Sequence, residues 1–371
     1  MNSTMKKYGF ILAAATAALL LIPACEKSDG GEGPGDGYKI KVGTWYFGGW
    51  SFPPDANGYT FHISPSLVGD NSRKPVWGWR EDSPEIMRQQ IDYAANAGID
   101  WWGFCWYENT LVEDPQMDYL NTALQLFREA PNKDRLEFCL LSCHPVSSVN
   151  WETWCSKTID CMKESNYLHV DGRPVIVFFN SDEAINSMGG ATAMSKALAA
   201  YRAKAKEAGI GEPIVGAAVQ AKPADPIYRQ SGFEFLTTYN NSNFGRQKAG
   251  ANDYTALMEG DRTAWTISAT TDLPFLPAMT AGYDMRPWAT DHPTIPASDF
   301  WYTGVTSQQL GSHLTEMIGW TKEHRNKVLG SNLAVIYAWN EYGEGGWLTP
   351  SVAEGNLRLE YIRAAIERQN K

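Results

Sequence analysis

From residue 38 onward, short apolar runs alternate along the chain with longer amphipathic stretches. The runs are rich in β-branched and aromatic residues and finish in polar ones, which is the pattern of buried strands bounded by loops. Eight strands are predicted in this way, at 40–47, 99–107, 136–144, 174–180, 213–220, 233–240, 273–284 and 333–341.

Most of the intervening stretches have apolar residues at helical spacing. The first of them opens with Ser83 as a predicted N-cap and Pro84 at the first helical position, and it ends at Gly98. Further helices are predicted at 117–130, 152–165, 191–209, 306–324 and 355–369. Two connections fit less well: the link between the fifth and sixth strands has little room for a full helix, and 241–272 shows only a modest helical pattern.

Eight strands alternating with helices predict an α/β protein whose residues 38–371 form a single (β/α)8 TIM barrel. An open, doubly wound sheet is the alternative. It would need a glycine-rich phosphate-binding turn after the first strand, and "GTWYFGGWS" does not have that pattern. The loop 48–82 is long and rich in Gly, Pro and aromatic residues, so we expect it to shape the cleft of the barrel.

In such barrels the active site lies at the C-terminal ends of the strands. The predicted strands end in side chains that form hydrogen bonds or stack, a combination suited to a carbohydrate pocket. Contact with solvent explains any one polar strand end equally well, but the whole set favours a binding site. The candidate substrate-binding residues are Trp45, Tyr46, Tyr107, His144, Asn180, Tyr239, Asn240, Asp284, Arg286 and Asn340, and Gln220 ends the fifth strand.

The stretch "AWNEYGEGG", residues 338–346, holds the candidate catalytic pair, Glu341 and Glu344. If the chain turns after the eighth strand, residues three apart can lie about 5–6 Å from each other at Cβ. Two carboxylates at that distance repel, so one tends to stay protonated, and an acid beside a base is what glycosidic bond cleavage requires. The surrounding glycines permit a tight turn. A solvated acidic turn, or carboxylates at a helix N-terminus, is the structural alternative.

Composition narrows the classes of function. The net charge of -10 argues against nucleic acid or an anionic membrane surface as the partner. The 15 Trp and 17 Tyr supply flat rings on which sugars can stack. The six scattered His form no ligand cluster, so no metal or other cofactor is expected. Of the cysteines, Cys139 and Cys143 resemble small core residues, and a Cys155–Cys161 disulfide is left open.

The N-terminus has the pattern of a bacterial export signal. Lys6 and Lys7 precede a short apolar run, too short for a confident membrane span, and "PAC" follows it. We expect cleavage after residues 1–24, lipidation of Cys25, and a flexible glycine-rich tether over 25–37. Such a protein would be anchored to the cell envelope by its lipid alone, at the outer membrane or cell surface. Ordinary secretion with an unmodified cysteine is the alternative.

Several motifs resemble glycoside hydrolase family 99 and its WbsX-type relatives. "WNEYGEGGWLTPS" is similar to the Trp-Asn-Glu-aromatic-x-Glu-Gly motif of that family. The softer matches are "EIMRQQIDYAANAGIDWWGFCWY", "GRPVIVFF", "AGYDMRPW" and "WYTGVTSQQLGSHL". The resemblance covers most of the chain after the tether and implies a barrel with retaining, endo-acting α-mannosidase chemistry.

The resemblance also implies residue roles. Glu341 would deprotonate the sugar's own 2-hydroxyl, giving a 1,2-anhydro sugar, while Glu344 would protonate the leaving oxygen and later activate water. Asn340 would hold Glu341 by a hydrogen bond. Tyr342 and Gly343 stand where the mannosidases tend to have Trp and His, which leaves α-1,2-mannoside specificity open.

These observations favour a glycosidase that acts on an external polysaccharide or oligosaccharide. A surface lipoprotein that binds glycans without turnover is the main alternative. A WbsX-type glycosyltransferase is less favoured, because nucleotide sugars are cytoplasmic and the chain has no Asp-x-Asp motif.

Overall fold

The computed structural model describes residues 39–108, 116–144, 146–219, 226–292, 294 and 298–369. The predicted signal segment, Cys25, the tether and Gln220 lie outside this part of the chain. None of the described helices is long and apolar enough to cross a membrane.

Eight parallel strands form the wall of a closed barrel, which confirms the predicted fold. They are β1 (Lys41–Tyr46), β2 (Trp101–Trp106), β3 (Glu137–Ser142), β4 (Arg173–Phe178), β5 (Ile214–Ala218), β6 (Phe235–Thr237), β7 (Phe275–Leu276 and Ala278–Thr280) and β8 (Leu333–Tyr337). Neighbours pair in chain order, and β8 closes the ring by pairing with both β1 and β7. Pro277 divides β7, because a residue without an N–H cannot donate to the ladder.

Eight helices follow the strands. They are α1 (Pro84–Asn96), α2 (Thr122–Glu129), α3 (Trp151–Cys161), α4 (Ala191–Glu207), α5 (Ile227–Gln230), α6 (Tyr254–Ser268), α7 (Ser307–Glu323) and α8 (Leu357–Arg368). The Ser83 hydroxyl caps α1 by accepting from the backbone N–H of Ile86 at 3.2 Å. In the described part of the link between the fifth and sixth strands, which fitted the pattern poorly, the helix is the four-residue α5, whereas 241–272 contains the full α6.

Shorter elements lie in the connections. The short helices are Pro65–Val68, Gln116–Tyr119, Ser181–Ser187, Ser242–Gly245 and Arg286–Asp291, with 3-10 turns at Gly49–Ser51, Lys133–Arg135, Arg325–Lys327 and Leu329–Ser331. His169–Val170 pairs with β4, and Gly250–Asp253 pairs with Phe300–Thr303. Asn340–Glu341 pairs with Gly346–Trp347 in a hairpin that follows β8.

Tryptophan rings fill the barrel interior. The rings of Trp45 and Trp101 meet edge to face at 5.9 Å between centroids. They fit because glycines stand opposite: a Cβ on Gly103 would lie 2.3 Å from the Trp45 ring, and one on Gly43 would lie 2.1 Å from that of Trp101. Side chains alternate across a strand, so Tyr46, next to Trp45, faces the opposite side of β1. The prediction that both residues line one pocket is therefore wrong, because neighbouring side chains of a strand point to opposite faces.

The disulfide left open between Cys155 and Cys161 is absent, since all five cysteines of the described chain are free. Both lie on α3, six residues apart. At 1.5 Å of rise per residue their Cα atoms are about 9 Å apart, too far for a disulfide. Cys139 is buried as a core residue, but Cys143 is only half-buried and reaches the central cavity.

Candidate active site

The two glutamates lie on the hairpin after β8, at the C-terminal end of the barrel. Residues 342–345 form its turn, and the Glu341 carbonyl accepts from the N–H groups of Glu344 at 3.2 Å and Gly345 at 2.9 Å. Gly345 has φ +85°, and a Cβ there would lie 2.6 Å from the backbone nitrogen of Asp284. Only glycine satisfies both conditions without displacing the chain.

A cavity of about 440 Å³ opens at this end of the barrel, within the range of roughly 300–1,000 Å³ usual for small-molecule sites. Both glutamates line it. The other described lining residues are mostly aromatic or apolar: Phe47, Trp50, Phe52, Phe61, His62, Cys105, Tyr107, Leu120, Cys143, Phe179, Tyr239, Trp288 and Gly343. Among them there is no Lys or Arg, so the two carboxylates dominate the charge of the cavity.

Each carboxylate accepts a hydrogen bond from a buried tyrosine. Tyr239 Oη donates to Glu341 Oε1, and Tyr337 Oη donates to Glu344 Oε2 at 2.5 Å. Glu341 is 5% exposed, and Glu344 is half-buried. Burial raises the pKa of both carboxyls, and the charge of Glu344 raises that of Glu341 further. The pair therefore retains a proton at a pH where isolated carboxyls are ionised.

His62, on the cavity wall, stays uncharged. Burial, together with the charge of His292, lowers its pKa to about 3. Its ring stacks on that of Trp288 at 5.6 Å between centroids. It contributes a flat face and a neutral hydrogen-bonding edge rather than a cation.

The expected hydrogen bond between Asn340 and Glu341 is not formed. Asn340 Nδ2 donates to the Phe47 carbonyl and to Glu81 Oε2, both at 2.8 Å, and Asn340 Oδ1 accepts from the Phe47 N–H at 2.8 Å. Both amide hydrogens are therefore committed away from the cavity. Tyr239 takes the role of donor to Glu341 that the resemblance implied for Asn340.

Asp284 and Arg286 support the hairpin turn and are not among the described lining residues. The Asp284 N–H donates to the Glu344 carbonyl at 2.6 Å. Arg73 bridges the Asp284 carboxylate, at 2.7 Å, and the carbonyl of Tyr342, at 3.0 Å. Although burial opposes it, the hydrogen bonds of Arg286 and the charge of Arg73 hold the pKa of Asp284 below its ordinary value.

Of the other predicted residues, Tyr107 and Tyr239 line the cavity. His144 and Asn180 are half-buried at the ends of their strands and lie outside the described lining. Asn240 uses its Oδ1 locally, accepting from the hydroxyl of Ser242 at 2.7 Å. Trp45 supports the cavity from below, with its ring 6.4 Å from that of Tyr239.

Several residues of the site carried no periodic signal in the sequence. Four lining residues, Trp50, Phe52, Phe61 and His62, come from the long loop, which fits the expectation that this loop shapes the cleft. Tyr337 is the last residue of the apolar strand β8, and this context predicts a core residue. Glu81 is the residue that the sequence indicates least. Apart from Trp77, the residues that donate to its side chain are all distant in sequence.

No group of His, Cys, Asp and Glu in the described chain has the arrangement of a metal site. The cavity contains two neighbouring carboxyl groups that together retain a proton, and aromatic rings surround them. Such a pair can donate a proton to one atom of a bound ligand and accept a proton from a neighbouring atom.

The sequence profile of the family described as "Glycosyltransferase WbsX" matches residues 78–362. The chain belongs to this family. The WbsX match runs from just before α1 into the first half of α8 and includes both glutamates of the hairpin. No protein of curated function matches the chain.

Solved structures with the same fold include GH99 endo-α-mannosidases, as the motif resemblance led us to expect. The GH99 endo-α-mannosidase from Bacteroides thetaiotaomicron superposes with a TM-score of 0.61 at 14% identity, over 89% of this chain and 98% of that one. A structure described as a glycoside hydrolase-like protein gives a TM-score of 0.60 at 14% identity, over 89% and 94%. This WbsX-family chain thus has a glycoside hydrolase-like (β/α)8 fold.

Proposed function

We propose that the protein is a glycosidase that cleaves glycosidic bonds inside an external polysaccharide or glycan. The observation that carries the proposal is the placement of Glu341 and Glu344 in one cavity, each bound by a buried tyrosine. The name of the B. thetaiotaomicron neighbour, an endo-α-mannosidase, supports endo cleavage and makes α-mannosides the first substrates to try.

The proposed reaction proceeds in two steps with retention of configuration. Glu341 takes the proton of the sugar's 2-hydroxyl as that oxygen attacks the anomeric carbon, and Glu344 protonates the departing glycosidic oxygen. Glu344 then takes a proton from water, whose oxygen opens the 1,2-anhydro ring, and Glu341 returns its proton to the 2-oxygen. The second carboxylate thus switches from acid to base, as in other retaining glycosidases.

The proton of the pair has to lie on Glu344 when the reaction begins. In the free cavity the charge of Glu344 raises the pKa of Glu341 and so draws the proton towards Glu341. A bound sugar reverses this preference, because a 2-hydroxyl that donates to Glu341 stabilises its ionised form. Tyr239 donates to the same carboxylate and acts in the same direction.

The substrate we propose is an uncharged glycan. Two carboxylates without a described Lys or Arg on the cavity wall would repel uronic acids and sulfated or phosphorylated sugars. The rings of Trp50, Phe61 and Trp288 offer faces for the apolar sides of neutral sugars. The cavity thus selects by charge and by stacking, and the carboxylates provide the polar contacts.

The test compares wild type with Glu341→Gln and Glu344→Gln on a panel of α-mannans and other plant and microbial glycans. Mass spectrometry should find defined oligosaccharides with the wild type alone. Glycan binding by calorimetry without any product would instead support the non-catalytic reading. Sugar transfer from a nucleotide sugar would support the transferase named in the family description.

We also propose that the protein is exported and anchored by a lipid on Cys25, with residues 1–24 removed and 25–37 serving as the tether. The basic, apolar and small-residue pattern before Cys25 supports this placement. Labelled fatty acid should be incorporated by the wild type and not by Cys25→Ala. Equal labelling of the two would contradict the anchor and leave the proposed chemistry untouched.

A further inference from the structure

Glu81 is a carboxylate buried behind the hairpin, at 2% exposure. Its Oε2 accepts from Asn340 Nδ2 at 2.8 Å and from Tyr46 Oη at 3.0 Å. Its Oε1 accepts from Tyr342 Oη at 2.8 Å and from Trp77 Nε1 at 3.3 Å. Four donors thus surround the carboxylate, and its described contacts include no Lys or Arg.

Two of these donors, Asn340 and Tyr342, are the residues on either side of Glu341. Asn340 is also bonded to both backbone groups of Phe47, and Tyr342 Oη lies 3.0 Å from Thr349 Oγ1. The network therefore holds the hairpin in place by hydrogen bonds to the residues immediately before and after Glu341. It does so from the side away from the cavity, because none of Glu81, Asn340 and Tyr342 is among the described lining residues.

We propose that Glu81 is a positioning residue that holds Glu341 in place through Asn340 and Tyr342. The effect of Glu81 on turnover rests on the proposed function, whereas its effect on the stability of the hairpin does not. A buried carboxylate without a cation is costly to keep, so a neutral side chain would serve better if only packing were required. The four converging donors make the ionised form useful here, because only a carboxylate can accept from all of them.

The stability of the hairpin should then depend on the protonation state of Glu81. Burial raises its pKa to about 7, although the hydrogen bonds of Asn340, Tyr342, Tyr46 and Trp77 oppose the rise. The titratable groups that contact it are Tyr46 and Tyr342, whose own pKa values are raised well above 10 by burial and by the charge of Glu81, so both stay protonated. Below neutral pH the carboxyl of Glu81 becomes protonated and can accept fewer hydrogen bonds. Its hydrogen bond with Asn340 or with Tyr342 then weakens.

The test uses the full chain and the variant Glu81→Gln, in which an amide NH2 faces donors that the carboxylate accepted. Hydrogen exchange of the peptide 338–348, followed by mass spectrometry at pH 8, should show protection reduced by about tenfold, as expected for loss of a buried charge-assisted hydrogen bond. Wild-type protection, corrected for intrinsic exchange, should fall as the pH drops through about 7. The variant should lack this step.

Two further variants separate positioning from general destabilisation. Asp261→Asn makes the same acid-to-amide change in a buried carboxylate that bonds His313 and Thr280 and does not touch the hairpin. It should leave the exchange of 338–348 unchanged. Tyr342→Phe removes one donor and keeps the carboxylate, so it should reduce protection less than Glu81→Gln, and it decides the question if Glu81→Gln does not fold.

Activity adds a readout that a packing role alone would not move. If the wild type cleaves a glycan, Glu81→Gln should lower kcat by about tenfold or more and leave KM within about threefold, because Glu341 acts in the transition state and Glu81 does not touch substrate. Unchanged exchange and unchanged kcat would overturn the inference. A wild type that cleaves nothing would overturn the proposed function, and the exchange experiment would still decide the role of Glu81.

Discussion

Removal of the Tyr239 hydroxyl tests whether Glu341 acts as the base. In Tyr239→Phe the ring should stay in place, because it is 8% exposed and packs against the rings of Phe179 and Tyr337 at 4.9 Å between centroids. The substitution removes the hydrogen bond that the hydroxyl donates to Glu341 Oε1 and its 3.4 Å contact with Cys105 Sγ. The ionised form of Glu341 loses a donor, so its pKa rises above the already raised wild-type value.

The size of the shift follows from the bond that is lost. A hydrogen bond to a charged group contributes about 1.5–3 kcal/mol, and one pKa unit corresponds to about 1.36 kcal/mol. The acid limb of the pH profile of kcat should therefore move up by about one to two pH units. This profile reports the complex with sugar, in which the base Glu341 has the lower pKa of the pair and must be ionised to act. Initial rates at saturating concentrations of the best substrate of the panel, measured from pH 4 to 9, give the profile.

Tyr337→Phe is the matched control, because it removes the donor to Glu344 instead. A higher pKa of Glu344 keeps the general acid protonated further into the alkaline range, so here the alkaline limb should move up. An acid limb that stays fixed in Tyr239→Phe would show that Glu341 is not the base. If Tyr239→Phe moved the alkaline limb and Tyr337→Phe the acid limb, the two glutamates would have exchanged roles.

Three other changes have defined outcomes. Trp288→Ala removes a ring of the cavity wall next to Phe61, so KM should rise severalfold with kcat nearly unchanged, as steady-state rates would show. Gly345→Ala places a Cβ 2.6 Å from the Asp284 nitrogen at φ +85°, and it should lower both the melting temperature and kcat; a variant with wild-type values would show that the turn adapts. The hydrogen bonds and charges of two carboxylates raise the pKa of buried His313 above 6.5 against the cost of burial, so its contribution to stability is present below pH 6.5 and lost as the pH rises through the folded-state pKa. Urea unfolding at several pH values should show this loss in the wild type relative to His313→Gln, and parallel curves would contradict it.

The barrel was predictable because its signal is local. Apolar runs and helical periods repeat along the chain, and each needs only its own residues to be recognised. The exception, β7, was predicted as one strand over 273–284 although Pro277 already marked its interruption. The helix α6 was underestimated because its buried face includes small and polar residues such as Gly260 and Asp261, which a hydrophobic pattern does not register.

The site was predictable only where it follows the strands. The glutamate pair and two tyrosines, Tyr107 and Tyr239, come from strand ends and were found there. The same rule predicted Asp284 in the pocket. Its carboxylate instead forms ion pairs with two arginines that lie outside the strand, Arg73 and Arg286. The position of Asp284 at a strand end does not reveal these partners. Glu81 and the aromatic residues of the long loop act through tertiary contacts, and no local pattern identifies them.

Cleavage of the best glycan of the panel in water enriched in 18O tests directly whether the protein is a hydrolase. Hydrolysis at the Glu341–Glu344 pair predicts one 18O atom at each new reducing end released by the wild type, and no release by Glu341→Gln or Glu344→Gln on natural glycans. The same labelled products from both variants at the wild-type rate, or products that carry no label, would contradict a hydrolase built on these two carboxylates.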